Sequence, residues 1–201
     1  MILEYLQPDA SILDGITVII RALYYIATIG AAGLAIFAIG FEHRLEAHEA
    51  ARLRRTLLGA ILAGLALSLL ALILRVLVLT AGANISDPNV WAAVMRSRIG
   101  DAFWLRTAGL VLLAAMVTNW RIRSAMTAIG ALLMLASYAA MGHSMLFAPR
   151  QEIAALVVLH LAVVSFWVGS LPPLLWVARR PNGISAVSLI QDWSRAAIWS
   201  V

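Results

Sequence analysis

Apolar blocks of ~18 residues or more recur along this 201-residue chain, and they leave few folds open. Wound as a helix, one such block crosses a hydrocarbon core ~30 Å thick. A water-soluble fold would lack the polar surface to cover them. Hydrophobic residues make up 63% of the chain and charged residues 12%, with a mean hydropathy of +0.92. Soluble domains sit nearer half apolar and a quarter charged. The sequence therefore reads as an all-α, polytopic transmembrane helix bundle of a bacterial-type inner membrane.

Five spans are expected, over residues 12–41, 57–80, 102–120, 124–146 and 152–177, within a single membrane domain. The first contains Arg21 and a Gly30/Gly33 pair at close-packing spacing; the second has Gly59 and Gly64 early and Arg75 near its end. Residues 81–101 are too polar to span. Within them Asp87-Pro88 predicts a helix start, Asp as N-cap and Pro at the first helical position. The turns that follow, about 87–98, suit a short helix lying at the periplasmic interface, with Trp91, Val94 and Met95 set against Arg96 and Arg98. Residues 184–201 read as the start of a sixth helix cut short, which would make the natural protein longer. An interfacial amphipathic end reads similarly.

All 15 basic residues are arginine, and they cluster at the ends of apolar blocks. The membrane explains this distribution better than nucleic acid does, so no nucleic-acid partner is expected. Arg44, Arg52, Arg54, Arg55, Arg121, Arg123, Arg179 and Arg180 fall on one side, against Arg96, Arg98 and Arg150 on the other. The positive-inside rule then puts the N-terminus and the 147–151 connector in the periplasm. The N-terminus, mildly acidic, does not resemble a cleavable signal peptide. Cysteine is absent, which excludes disulfides, thiolate metal sites and iron–sulfur ligation.

Met141-Gly-His143-Ser-Met145 closes the fourth span at its periplasmic end. Thioether and imidazole together suit Cu(I), although methionine also fills gaps between helices. Met134 lies two turns before Met141 on the same face. His160 sits within the fifth span, where an ionisable residue is a functional candidate by default; packing against a neighbouring helix is the alternative. Trp167 shares its face, and Gly169-Ser170 allows another helix close. His143 and His160 fall roughly 9 Å apart in depth at a helical rise, so one ion would meet them at successive stations unless the connector folds back. Arg21, Arg75 and Arg106 lie inside or at the edges of spans. Asp101 is a plausible partner for Arg106, which would otherwise snorkel to the interface. Together these arginines could hold an anionic group, and structural ion pairing is equally open. His43 and His48 belong to a solvated amphipathic stretch. No Walker-type loop, HExxH or GxSxG occurs, and nothing supports a hydrolase.

The stretch from Leu159 to Leu174, with His160, Trp167, Gly169 and Ser170, resembles the helix signature of the copper resistance protein D (CopD) family. Gly142-His143 is similar to that family's pattern, as are Arg75 and the run Arg98-Ile-Gly-Asp-Ala-Phe-Trp-Leu-Arg106. The resemblance covers about 56–178. It implies an inner-membrane copper-handling protein of about eight spans, served by a periplasmic β-sandwich copper carrier of the CopC type. Carried over by position, His143 and His160 are the leading copper-related residues. The expected function is copper transport or homeostasis, not an enzyme: Met141, His143 and Met145 capture copper, Cu(I) favoured, and His160 receives it at depth. The alternative is a b-type haem protein passing electrons between quinol and a periplasmic metal centre. His143 and His160 would be its axial ligands, and Arg75 or Arg106 its propionate partners.

Overall fold

A computed structural model describes residues 8–80, 85–119, 121–141, 150–180 and 183–199. Seven α-helices run through them, with no strand among the described residues: α1 (Pro8–Phe41), α2 (Ala47–Leu79), α3 (Pro88–Met95), α4 (Arg98–Leu113), α5 (Arg123–Met141), α6 (Arg150–Ala178) and α7 (Gly183–Trp199). Helices α1, α2, α4, α5 and α6 are long and apolar enough to cross a membrane. This is the polytopic all-α bundle that the apolar blocks predict.

Helix bounds differ from the apolar blocks where propensity and capping extend or end a helix. The second helix begins at Ala47, ten residues before its apolar block. Residues 47–56 are mostly Ala, Arg, Glu and Leu, all strong helix formers. The Glu46 and Glu49 side chains complete a reciprocal capping box there. The third membrane helix is shorter than its block. α4 gives way to a 3₁₀ turn over Ala114–Val117, ended by Thr118, whose hydroxyl donates to the Ala115 carbonyl at 2.7 Å. Asp87 caps α3 by accepting from the Asn89 N–H at 2.8 Å, with Pro88 in the first turn. Residues 184–199 are helical as part of α7.

α1 is the hub of the bundle, packing on α2, α6, α5 and α4. Its second half, Gly-Ala-Ala-Gly-Leu-Ala-Ile-Phe-Ala, is rich in small residues, so neighbours approach on several sides. Ala31, Ala32, Ala35 and Phe37 are fully buried. Without a hydrophobic drive between helices in lipid, such close backbone packing is what holds them together. Gly33 is the tightest point. A Cβ there would run into the Ser165 carbonyl and come within 2.8 Å of the Gly169 Cα. Gly30, its expected companion, meets nothing. A second crossing joins α4 to α5, where a Cβ on Gly109 would lie 2.7 Å from the Gly130 carbonyl oxygen, and the reverse.

One end of the bundle is tied by ion pairs between helices. Glu42, buried after α1, accepts from Arg54 Nε at 2.6 Å and meets Arg123 Nη2 of α5 at 2.8 Å. Glu49 is 2% exposed and accepts from Arg180 Nε at 2.8 Å, with a second contact to Arg180 Nη2. The Glu49 carboxylate holds the Arg180 pKa above its ordinary value. Arg44 reaches Asp192 of α7 at 2.7 Å in a more exposed pair, and Arg52 lies 4.5 Å over the Trp176 ring.

Two outcomes are expected from this packing. Gly33→Leu should destabilise the protein by about 1–3 kcal/mol or more through overpacking, whereas Gly30→Leu stays near wild type; unfolding in mixed detergent measures both. Arg180→Met should cost about 3–5 kcal/mol by leaving Glu49 buried and unpaired. Asp192→Asn, in the exposed pair, should cost at most about 1 kcal/mol in the same assay.

Candidate functional site

Opposite the ion-paired end, four helices open around a cavity of about 420 Å³. Helical spacing lays its walls. α1 contributes Thr17, Ile20, Arg21, Tyr24 and Tyr25; α2 contributes Ser68, Leu72, Arg75 and Leu79, among others. From α4 come Ile99, Phe103 and Arg106, at i, i+4 and i+7, and from α5 Tyr138 and Met141, at i and i+3. A local constraint sets the start of α4. Any Cβ on Gly100 would collide with the Met95 carbonyl, so glycine lets α4 begin directly behind α3. α3 itself covers the end of α2, packing Val94 against Leu72 and Val76. Trp91 beside them donates Nε1–H to the Ile85 carbonyl at 2.7 Å.

Arg21, Arg75 and Arg106 all line this one cavity, and among the described residues no carboxylate does. Arg106 is only 7% exposed. Its guanidinium carbon lies 4.7 Å from the Tyr24 ring centre and 5.0 Å from that of Tyr138, and its Nε has no hydrogen-bond partner. The expected Asp101–Arg106 pair is not formed. Five residues apart on one helix, the two diverge in direction, and Asp101 is exposed while Arg106 turns into the bundle instead of snorkelling. Arg21 and Arg75 are exposed at the cavity, and neither forms an ion pair among the described residues.

The tyrosines fix the cavity floor. Tyr24, Tyr25 and Tyr138 form a triangle with ring centres 5.0, 5.4 and 5.9 Å apart. Thr28 donates its hydroxyl to the Tyr24 carbonyl at 2.8 Å, which leaves the Tyr138 hydroxyl to donate in the hydrogen bond they share. None of these tyrosines stood out in the sequence. The available signal was spacing: Tyr24 follows Arg21 by three residues, and Tyr138 precedes Met141 by three.

The sequence-derived candidates separate. Met141 lines the cavity and is 43% exposed. His143 and Met145 lie outside the described residues. His160 is on the exposed face of α6 with Trp167, and α6 contributes nothing to the cavity wall. His160 is thus not on the wall that Arg75 and Arg106 share, and the second axial ligand of the haem arrangement, His143, lies outside the described residues. Nor do three or more His, Asp or Glu side chains gather as a potential metal site among the described residues. Met134 is fully buried in the core. His43 and His48 are exposed beside the ion-paired end, His48 Nδ1 being 3.5 Å from Glu46.

Five helices apolar enough to cross a membrane, four of them walling a charged cavity, define a multi-pass membrane protein. Residues 12–148 match the family described as copper resistance protein D-like, N-terminal domain. That is well over half of the chain, and the chain belongs to this family. Every residue of the cavity wall falls inside the matched segment, whereas the helix carrying His160 lies beyond it. Comparison with curated proteins and with solved structures gives no match.

A buried charge with no counter-charge among the described residues works against stability, and such a residue is a functional candidate for that reason. Two cation–π contacts, each worth about 0.5–2 kcal/mol, offset part of the desolvation of Arg106. In lipid-free detergent, Arg106→Met should therefore melt at the wild-type temperature or above it. A drop of several degrees would show that Arg106 serves the fold.

Proposed function

We propose that this protein takes up copper at the periplasmic face of the inner membrane and passes it on, as a transport or homeostasis component of copper resistance. Membership of the copper resistance protein D-like family carries this reading. Met141 supports it locally, as a thioether exposed at the open end of the cavity and two residues before His143. Met141, His143 and Met145 capture the ion, thioether and imidazole being soft ligands suited to Cu(I). His160 receives it on α6. Binding at each station is modest, so that the ion leaves again. From Met141 at the mouth the copper route leads away from the arginines, because three guanidinium groups with no carboxylate beside them among the described residues repel a bare cation. The arginine bias of the connectors supports a cavity end in the periplasmic half, within reach of a CopC-like carrier.

Copper and haem content of the purified protein test this directly, by elemental mass spectrometry and an absorption spectrum. Copper without a Soret band, lost in both His143→Ala and His160→Ala, is the expected result. A Soret band abolished by His160→Ala would replace the transport reading with electron transfer.

A further inference from the structure

The arginine cavity has a chemistry of its own, which the copper reading leaves unused. Arg106 is nine-tenths buried, lines the cavity and carries an unsatisfied Nε–H. Arg21 and Arg75 line the same space from two other helices, and among the described residues no acidic side chain does. Planar guanidinium groups are matched to phosphate and carboxylate oxygens by charge and by their fork of donors. A volume of about 420 Å³ is that of a small-ligand site. The rest of the wall is mostly apolar, aliphatic toward α2 and aromatic at Tyr24, Phe103 and Tyr138, with Thr17 and Ser68 as small polar members. Val78 and Leu79, 55% and 59% exposed, lie next to Arg75 on the outer surface of α2. Arg75 is four residues from the end of that helix, roughly 6 Å in depth, a position near the level of lipid headgroups.

We propose that this cavity binds the phosphate headgroup of an anionic phospholipid, with its acyl chains leaving over Val78 and Leu79. Arg106 is the inner anchor, and Arg21 and Arg75 close on the phosphate from the rim. The apolar rim and the placement within the spans favour a lipid over phosphate from solution. This assignment does not depend on copper being the cargo.

The test uses the full protein in zwitterionic detergent, titrated separately with short-chain phosphatidylglycerol, short-chain phosphatidylcholine and inorganic phosphate. Binding is read by thermal melting and by native mass spectrometry. Phosphatidylglycerol should raise the melting temperature and remain bound, with little effect from the other two. Arg106→Met and, independently, Arg21→Gln should each weaken phosphatidylglycerol binding roughly ten- to hundredfold. Arg21 is exposed, so its variant tests the site without disturbing the core. An equal response to inorganic phosphate overturns the lipid assignment. Unchanged affinity in both variants, or no preference over phosphatidylcholine, overturns the site. Copper content measured on the same samples reports on transport separately.

Discussion

The contact between Gly33 on α1 and Gly169 on α6 sets how closely the bundle closes. Any side chain at either position would meet the other helix's backbone. Within a membrane, apolar area gives no advantage to helix over lipid, so association depends on close backbone approach and on polar contacts. α1 satisfies this by being narrow over its second half, where alanines and glycines allow α2, α5 and α6 to share one central helix. The Gly109–Gly130 crossing does the same for α4 and α5. The ends of α1, α2, α4 and α5 together enclose the cavity.

The two ends of the bundle treat charge in opposite ways. At one, Glu42 and Glu49 are buried against Arg54, Arg123 and Arg180, so that burial and pairing match. Those pairs join the segment after α1 to α2 and to α5, and α2 to the end of α6. At the other end Arg21, Arg75 and Arg106 face a shared cavity with tyrosines and, among the described residues, no acid. A fold that can neutralise buried charge so thoroughly at one end, and leaves it open at the other, points to the open end as the place of use.

Family membership and the cavity bear on different questions. The family match reaches from α1 through α5 and contains the whole cavity wall, so the cavity belongs to the part of the chain that carries the copper resistance assignment. Its electrostatics nevertheless suit an anion. The proposed copper ligands at the mouth and an anion among the arginines deeper in would be compatible at one membrane end, because the arginines repel a cation and uncharged thioether and imidazole give an anion no counter-charge.

Much of the architecture was legible in the residues. Apolar blocks long enough for the membrane predicted the five long helices, and Asp87-Pro88 predicted the start of α3. Bounds shifted where capping or propensity outran hydropathy, as at Ala47, a signal that apolar length does not contain. The three intramembrane arginines were recognisable as candidates, and so were Met141 and His160. Their grouping was not. Which face of a helix turns inward depends on its neighbours, and α1, α2, α4 and α5 contribute cavity residues more than 100 positions apart in sequence. That arrangement turned Arg106 from Asp101 to two tyrosines and put His160 on the outer face of α6. Composition and periodicity thus determined that this chain crosses a membrane as helices, since apolar length is a local property. Only tertiary packing decided that three arginines meet in one cavity and that His160 stands apart from them, since both depend on how the helices are rotated against one another.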